Sequence, residues 1–346
     1  MGIDLFTYSG IITKIRALQS GLMTKDDYNR IAYLETTADF ISYIKAQPGF
    51  AHIFDKYDES KLHRGQIEQI LTNSVHLSYA KVYRFAGQIQ RKYLSLIFFR
   101  FEVNILKACL QKVFNEEDNH DLLLFESFFE SHSSLNVSTL AASQTIEEFI
   151  NNLHNTPYYS LFQKLYSTHH DSLQDYEVQL DIYYFTKSWK MIEHFPKGKN
   201  RKIIKALYGT QIDLLNIQWI YRSKKFYDMS AVKIVTNIIP ITYKLNKNNL
   251  DHMIEAISTE EFAREISKTY YKKIFSELDY TNIESAYVRK LMKLYSMYAT
   301  KYSHSMAPVL RFLFMKELEL ENLTTALECI RYRLTPNEIL DYLIYE

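Results

Sequence analysis

Two unrelated motifs return in this chain at one shared interval, and that interval has the length of a small domain. The first is a helical segment in which an asparagine precedes an apolar residue. It occurs as RFEVNILKACLQKVF with Asn104, QIDLLNIQWIYRSKKFYDMSAVKIV with Asn216, and PVLRFLFMKELELENLTTALECIRYRLTPNEILDY with Asn322. The asparagines stand 112 and 106 residues apart. The second is a short capped helix: Thr36 with Asp39 and Phe40, Thr145 with Glu148 and Phe149, Ser258 with Glu261 and Phe262. These phenylalanines are 109 and 113 residues apart. A single capping box is common. Two independent motifs with one period predict a domain-sized module used three times, too long for a solenoid repeat.

The modules read as helical. In the third, Val309, Leu313, Leu320, Leu323, Leu327, Ile330 and Leu334 form one apolar stripe, broken at Lys316–Glu317. A stop at Leu334 and a new start with Thr335 as N-cap, Pro336 at the first position and Glu338 closing the box follow from capping rules. Only 8 Gly and 6 Pro occur in 346 residues, and both break helices, so the expected fold is all-α. The third module ends at the C-terminus without its capped-helix half, which the opening residues 3–54 supply. The N-terminus therefore completes the third module, which implies a closed, pseudo-threefold arrangement. Expected boundaries are 1–54 for the completing helices, 55–165 for module one, 166–278 for module two and 279–346 for module three.

Composition excludes several functions. The formal net charge of +1 offers no global field for nucleic acid or acidic membranes. The opening MGIDLFTYSG lacks the basic region and apolar core of a signal peptide, and Phe6 breaks the myristoylation pattern. Apolar runs such as LSLIFF and VTNIIPI are far too short to cross a bilayer, so any membrane link is expected to go through a partner. The 28 tyrosines read as compositional bias rather than an aromatic ligand cage. Cys109 and Cys329 sit inside the repeated helices and read as small buried thiols.

No glycine-rich phosphate loop, Walker lysine motif, HExxH or CxxC occurs, and no cofactor is expected. One arrangement resembles a metal site: His169, His170 and Asp171, with His154 and the His120–Asp121 pair upstream. A helical metal phosphohydrolase uses such a pair. Its polar setting reads instead as a solvated turn. The asparagines are expected to be structural amides that bond neighbouring backbone. Arg222 and Arg331 are expected to pair with carboxylates across helix interfaces. Lys197, Lys199, Arg201 and Lys202, with Lys205, form the densest cationic run, which reads as a solvated helix start or as a candidate contact for phosphate or an acidic partner.

Several segments resemble a known family. IRALQSGLMTKDDYNRIAYLETTADFISYI, DLLNIQWIYRSKKF, IIPITYKL and FLFMKELELENLTTALECIRYRLTPNEIL are similar to the central-stalk C-type protein of prokaryotic V/A-type ATPases, the counterpart of the d-type protein of the eukaryotic vacuolar ATPase. Asp213-x-x-Asn216-Ile217 with Tyr221–Arg222, and KExExxNL at 316–323, carry it most specifically. Module one departs from it, with Phe101 where Asp213 and Glu319 stand. The resemblance implies a funnel-shaped, non-catalytic rotor component on the cytoplasmic side of the membrane. Its partners would be the D- and F-type shaft proteins and a c/K-type ion-carrying ring, and it would pass torque between them. A helical scaffold outside any rotary machine is the competing reading.

Overall fold

The computed structural model of the chain describes residues 2–55, 57–58, 61–115, 127–168, 172–275 and 283–345. Among the described residues the regular elements are helices, with no strand. In chain order they are α1 (Gly2–Gln19), α2 (Lys25–Ala32), α3 (Thr37–Lys45), α4 (Arg64–Phe85) and α5 (Gln88–Asn115). There follow α6 (Ser127–Glu130), α7 (Val137–Ala142), α8 (Ile146–Asn152), α9 (Tyr159–Ser167), α10 (Leu173–His194) and α11 (Lys199–Lys225). The last are α12 (Ala231–Thr236), α13 (Lys247–Glu255), α14 (Thr259–Ser267), α15 (Lys272–Phe275), α16 (Ile283–Lys301), α17 (Ala307–Arg331) and α18 (Pro336–Tyr342). Three long pairs, α4–α5, α10–α11 and α16–α17, alternate with groups of short helices.

Local chemistry fixes the short helices. Thr36, Thr145 and Ser258 take extended backbone, and their hydroxyls accept from the amides of Asp39, Glu148 and Glu261. Each such cap contributes about 1 kcal/mol. The residue after each carboxylate, Phe40, Phe149 or Phe262, is buried, as is the residue one turn later, Ile44, Leu153 or Ile266. The capped unit therefore delivers one aromatic and one aliphatic anchor each time it occurs.

The chain divides into two compact units, one of Met1–Arg91 with Met292–Glu346 and one of Lys92–Leu291. In the first, α1, α2 and α3 pack on α17, and α2 also packs on α18. Phe40, Ile44 and Phe50 share a core with Leu323, Leu327 and Ile330, and the Tyr28 and Tyr345 rings stack with centroids 5.2 Å apart. Opening and closing segments thus build one core. Gly49 permits a close approach in it: a Cβ there would collide with the Gly21 carbonyl oxygen. The α17 stripe is buried at Val309, Leu313, Leu323, Leu327 and Ile330. The helix ends at Arg331, with Arg333 at φ +56°. Leu334 N then donates to Cys329 O at 3.0 Å and Arg333 N to Ile330 O at 3.0 Å, the paired bonds of a Schellman stop. Thr335, Pro336 and Glu338 start α18 with a capping box.

The second unit is built on the packed pair α10 and α11, with α13 and α14 against α11. Aromatic rings fill it: Phe99 stands 6.2 Å from Tyr158 and 5.3 Å from Tyr184, and Phe162 stacks on Tyr176 at 5.7 Å. Eleven of the 28 tyrosines are buried in the described core.

Candidate functional site

Four buried polar side chains of the long helices, Asp213, Asn216, Glu319 and Asn322, recur in kind, and each bonds backbone outside its own helix. Asn216 in α11 is fully buried. Its amide donates to Ile239 O at 2.9 Å and its carbonyl accepts from Ile239 N at 2.9 Å. Asn322 in α17 does the same with one residue, donating to Ile344 O at 2.7 Å and accepting from Ile344 N at 2.9 Å. Each amide takes both backbone groups of an isoleucine 23 or 22 residues downstream. That two-point bond pins the segment after the helix and leaves its polar groups paired inside the core.

Asn104 does not belong to this set. It lies exposed on α5, whereas its neighbour Ile105 is buried. The acidic position explains why. Asp213 accepts from the amides of Tyr243 (2.9 Å), Lys244 (2.6 Å) and Leu245 (3.0 Å), and from the Tyr271 hydroxyl (2.8 Å). On α5 a carboxylate bonded in a similar way is Glu102, which accepts from the Tyr158 hydroxyl at 2.8 Å and from the Ser133 hydroxyl. Phe101, expected to stand in place of the acid, is an ordinary core residue. Matching Glu102 to Asp213 instead of Asn104 to Asn216 shifts α5 by one residue, and one residue turns a helical side chain about 100°. Ile105 is then the α5 residue that matches Asn216, and Asn104 points to solvent.

The third carboxylate, Glu319 in α17, accepts from Met23 N at 2.6 Å and from the Lys316 ammonium. Both partners of that ion pair are buried. Lys316 is the apparent break in the apolar stripe, and its ammonium sits 3.9 Å from the centre of the Phe50 ring. Phe50 follows Phe40 by ten residues, as Tyr158 and Tyr271 follow Phe149 and Phe262 by nine. Where the ring lacks a hydroxyl, a buried lysine supplies the donor to the acid. Sequence reasoning missed these rings and Lys316, although the recurring nine-residue offset was a usable signal.

Burial raises the carboxyls of Asp213 and Glu319 above their ordinary values. Against it act the backbone amides and the Tyr271 hydroxyl at Asp213, and Lys316 with the Met23 amide at Glu319. Burial, reinforced by the neighbouring carboxylate, pushes the phenols of Tyr158 and Tyr271 far up, so both remain donors. These clusters consist of a carboxylate saturated with donors, which suits holding a fold rather than moving protons.

The cationic run surrounds the start of α11. Lys197 and Lys202 are exposed, while Lys199 and Arg201 are half-buried. Gly198, at φ 153°, begins the helix, and the first turn carries no acidic residue. Cations at that end oppose the helix dipole. Lys205 lies 4.9 Å from the Trp189 ring and 3.5 Å from Glu193. Arg222 pairs with Glu284 of α16 at 2.5 Å, while Arg331 pairs along its own helix with Glu328 at 2.7 Å.

His169, His170, Asp171, His120 and Asp121 lie outside the described residues. His154 is exposed beside the Tyr159 ring, at 4.8 Å between centroids. Among the described residues no group of three or more His, Cys, Asp or Glu could hold a metal ion. Cys109 and Cys329 are buried, and burial pushes the Cys109 thiol up to about 12. No helix among the described residues is long and apolar enough to cross a membrane.

Comparison with known proteins matches residues 11–342 to the ATP synthase (C/AC39) subunit family. The chain is similar to the C-type subunit of the A-type ATP synthase of Methanosarcina acetivorans, 25% identical over 329 residues covering 91% of this chain and 87% of that protein. The protein of the same description from Methanosarcina barkeri is 26% identical over 328 residues, with the same coverage. That from Methanobrevibacter smithii is 21% identical over 360 residues, covering 99% of this chain and 89% of the relative.

Proposed function

The chain belongs to the ATP synthase (C/AC39) subunit family, and from that premise we propose that it couples a rotary shaft to a membrane ring. It is a non-catalytic subunit: hydrolysis or synthesis of ATP occurs elsewhere in the complex. In this reading the chain receives the D- and F-type shaft proteins on one side and a c/K-type ring on the other. It sits peripherally on the cytoplasmic side of the membrane and passes torque between them. The observation that carries the proposal is the family match over nearly the whole length.

The internal structure supports the mechanical part. Torque transmission needs a body that does not yield, and close-packed cores are stiff. The buried clasps at Asn216, Asn322, Asp213, Glu319 and Glu102 fasten long helices to the segments beyond them. The three carboxylate clusters, three capped phenylalanines and three long helix pairs favour a chain of three similar modules. We assign an acidic surface of a partner protein to Lys197, Lys199, Arg201 and Lys202, where like charges crowd the positive end of α11.

Reconstitution tests the function. The complex is placed in vesicles with and without this protein, and ATP hydrolysis and ion uptake are measured together. Hydrolysis that continues without ion uptake when the protein is omitted is the expected result. Full ion uptake in its absence refutes the coupling role.

A further inference from the structure

The unit of Met1–Arg91 and Met292–Glu346 is electrically two-ended. No Asp or Glu occurs in residues 5–25, 69–101 or 285–316. Within this unit those stretches form most of α1, the later part of α4 with the turn into α5, and the end of α16 with the start of α17. Contacts bring them to one end. Arg64, which opens α4, lies 2.6 Å from Glu328 near the close of α17, so the two helices run antiparallel. At 1.5 Å rise per residue, Phe85 and Ala307 both lie about 30 Å from that ion pair, in the same direction. The Lys14 ammonium of α1 is 5.3 Å from the centre of the Phe85 ring, and Gln90 donates to Thr7 O at 2.9 Å. The first half of α1, the α4–α5 turn and the α16–α17 turn therefore meet. The acidic residues of the unit, among them Asp26, Asp27, Asp39, Glu338 and Asp341, fall outside those stretches.

This end exposes Lys81, Arg84, Arg91 and Lys301, and the first turn of α1 adds one acidic residue, Asp4. Between these cations stand apolar side chains in solvent: Phe6 is 82% exposed, Ile89 55% and Phe85 54%. An ordinary surface intersperses both signs of charge and leaves few such side chains bare. We propose that this end binds the anionic headgroups of a lipid bilayer directly, with the cations on the phosphates and Phe6, Phe85 and Ile89 entering the headgroup layer. Cationic clusters beside aromatic and aliphatic side chains are the means by which non-spanning proteins hold a charged bilayer. The apolar groups project from two separate parts of the chain rather than from one stripe. A fluid headgroup layer accepts that arrangement without shape complementarity. The proposal rests on the reading that the chain works beside a membrane ring, and it adds a contact that needs no partner protein.

The test uses the purified full chain and vesicles of phosphatidylcholine, alone or with about one-third phosphatidylglycerol, at low and high salt. The chain should partition at least tenfold more strongly onto the anionic vesicles, and high salt should reduce the difference. K81E/R84E/R91E should lose that preference. K197E/K199E/R201E/K202E, which alters cations of the other unit, should keep it, and circular dichroism melting confirms that both variants fold. Equal partition onto neutral and anionic vesicles, or an unchanged preference in the triple variant, overturns the proposal. Failure to bind vesicles with retention on a detergent-solubilised ring, lost in the triple variant, assigns the surface to a protein and likewise overturns it. Because only the chain and lipid are present, failure here leaves the reconstitution result standing, and failure there leaves vesicle binding standing.

Discussion

Replacing Asp213 by asparagine asks how much one buried carboxylate holds. Oδ2 accepts from Lys244 N, Leu245 N and the Tyr271 hydroxyl, and Oδ1 accepts from Tyr243 N. An asparagine would keep its oxygen at the threefold-occupied position and turn its NH₂ toward the Tyr243 amide. Two buried donors, the NH₂ and Tyr243 N–H, then face each other without an acceptor. At about 1–3 kcal/mol for each unsatisfied buried group, Asp213→Asn should cost about 2–6 kcal/mol. A unit of this size loses roughly 2–4 °C of melting temperature per kcal/mol. The transition of the Lys92–Leu291 unit should therefore fall by roughly 5–20 °C. Tyr271→Phe removes a single charge-assisted bond and should cost less, about 1.5–3 kcal/mol. Hydrogen exchange read over residues 240–246 localises the effect: the amides of Tyr243, Lys244 and Leu245 should lose protection in Asp213→Asn. Wild-type protection there, with an unchanged melting temperature, would refute the reasoning.

Other perturbations address the termini, the caps and the cationic run. Deleting residues 2–20 removes α1 from its place on α17 and should destabilise the Met1–Arg91 and Met292–Glu346 unit, read as faster exchange in α17; unchanged exchange there would mean that α1 is a dispensable tail. The Thr335 hydroxyl and amide hold Glu338 below the ordinary glutamate value of 4.5. Its stabilisation is thus present above that value and lost as pH falls through the lowered one. Glu338→Ala should lower the denaturation midpoint at pH 7, with the gap to wild type closing in acid; a gap that persists at pH 2 contradicts this. Reversing one of Lys197, Lys199, Arg201 and Lys202 should change assembly little, since an exposed pair contributes up to about 1 kcal/mol, whereas reversing all four should weaken it in a salt-dependent way. Assembly of the fourfold variant at wild-type affinity would remove the cluster from the interface.

The sequence was most legible where local chemistry alone decides. Thr36, Thr145, Ser258 and Thr335 cap helices where their hydroxyls and downstream carboxylates lead one to expect, and the phenylalanines behind the first three are buried. The sequence led one to expect the opening and closing segments together, and Phe40 and Leu323 do share one core. Register inside α5 was not legible. Spacing alone paired Asn104 with Asn216, yet intervals of 112 and 106 residues leave several residues of latitude, and a slip of one exchanges a buried face for an exposed one. Glu102 became visible only through the tyrosine that bonds it. Lys316 read as an interruption of the apolar stripe because a lysine usually lies on the surface. Its burial depends on Glu319 and Phe50, the latter more than 260 residues away in sequence.

The proposed torque transfer can be tested directly in the assembled complex. With the head fixed to a surface and a probe on the membrane ring, ATP should drive rotation of the ring when this protein is present. Without it, the shaft should still turn and the head should still hydrolyse ATP while the ring stands still. ATP-driven rotation of the ring in the absence of the protein would contradict the account.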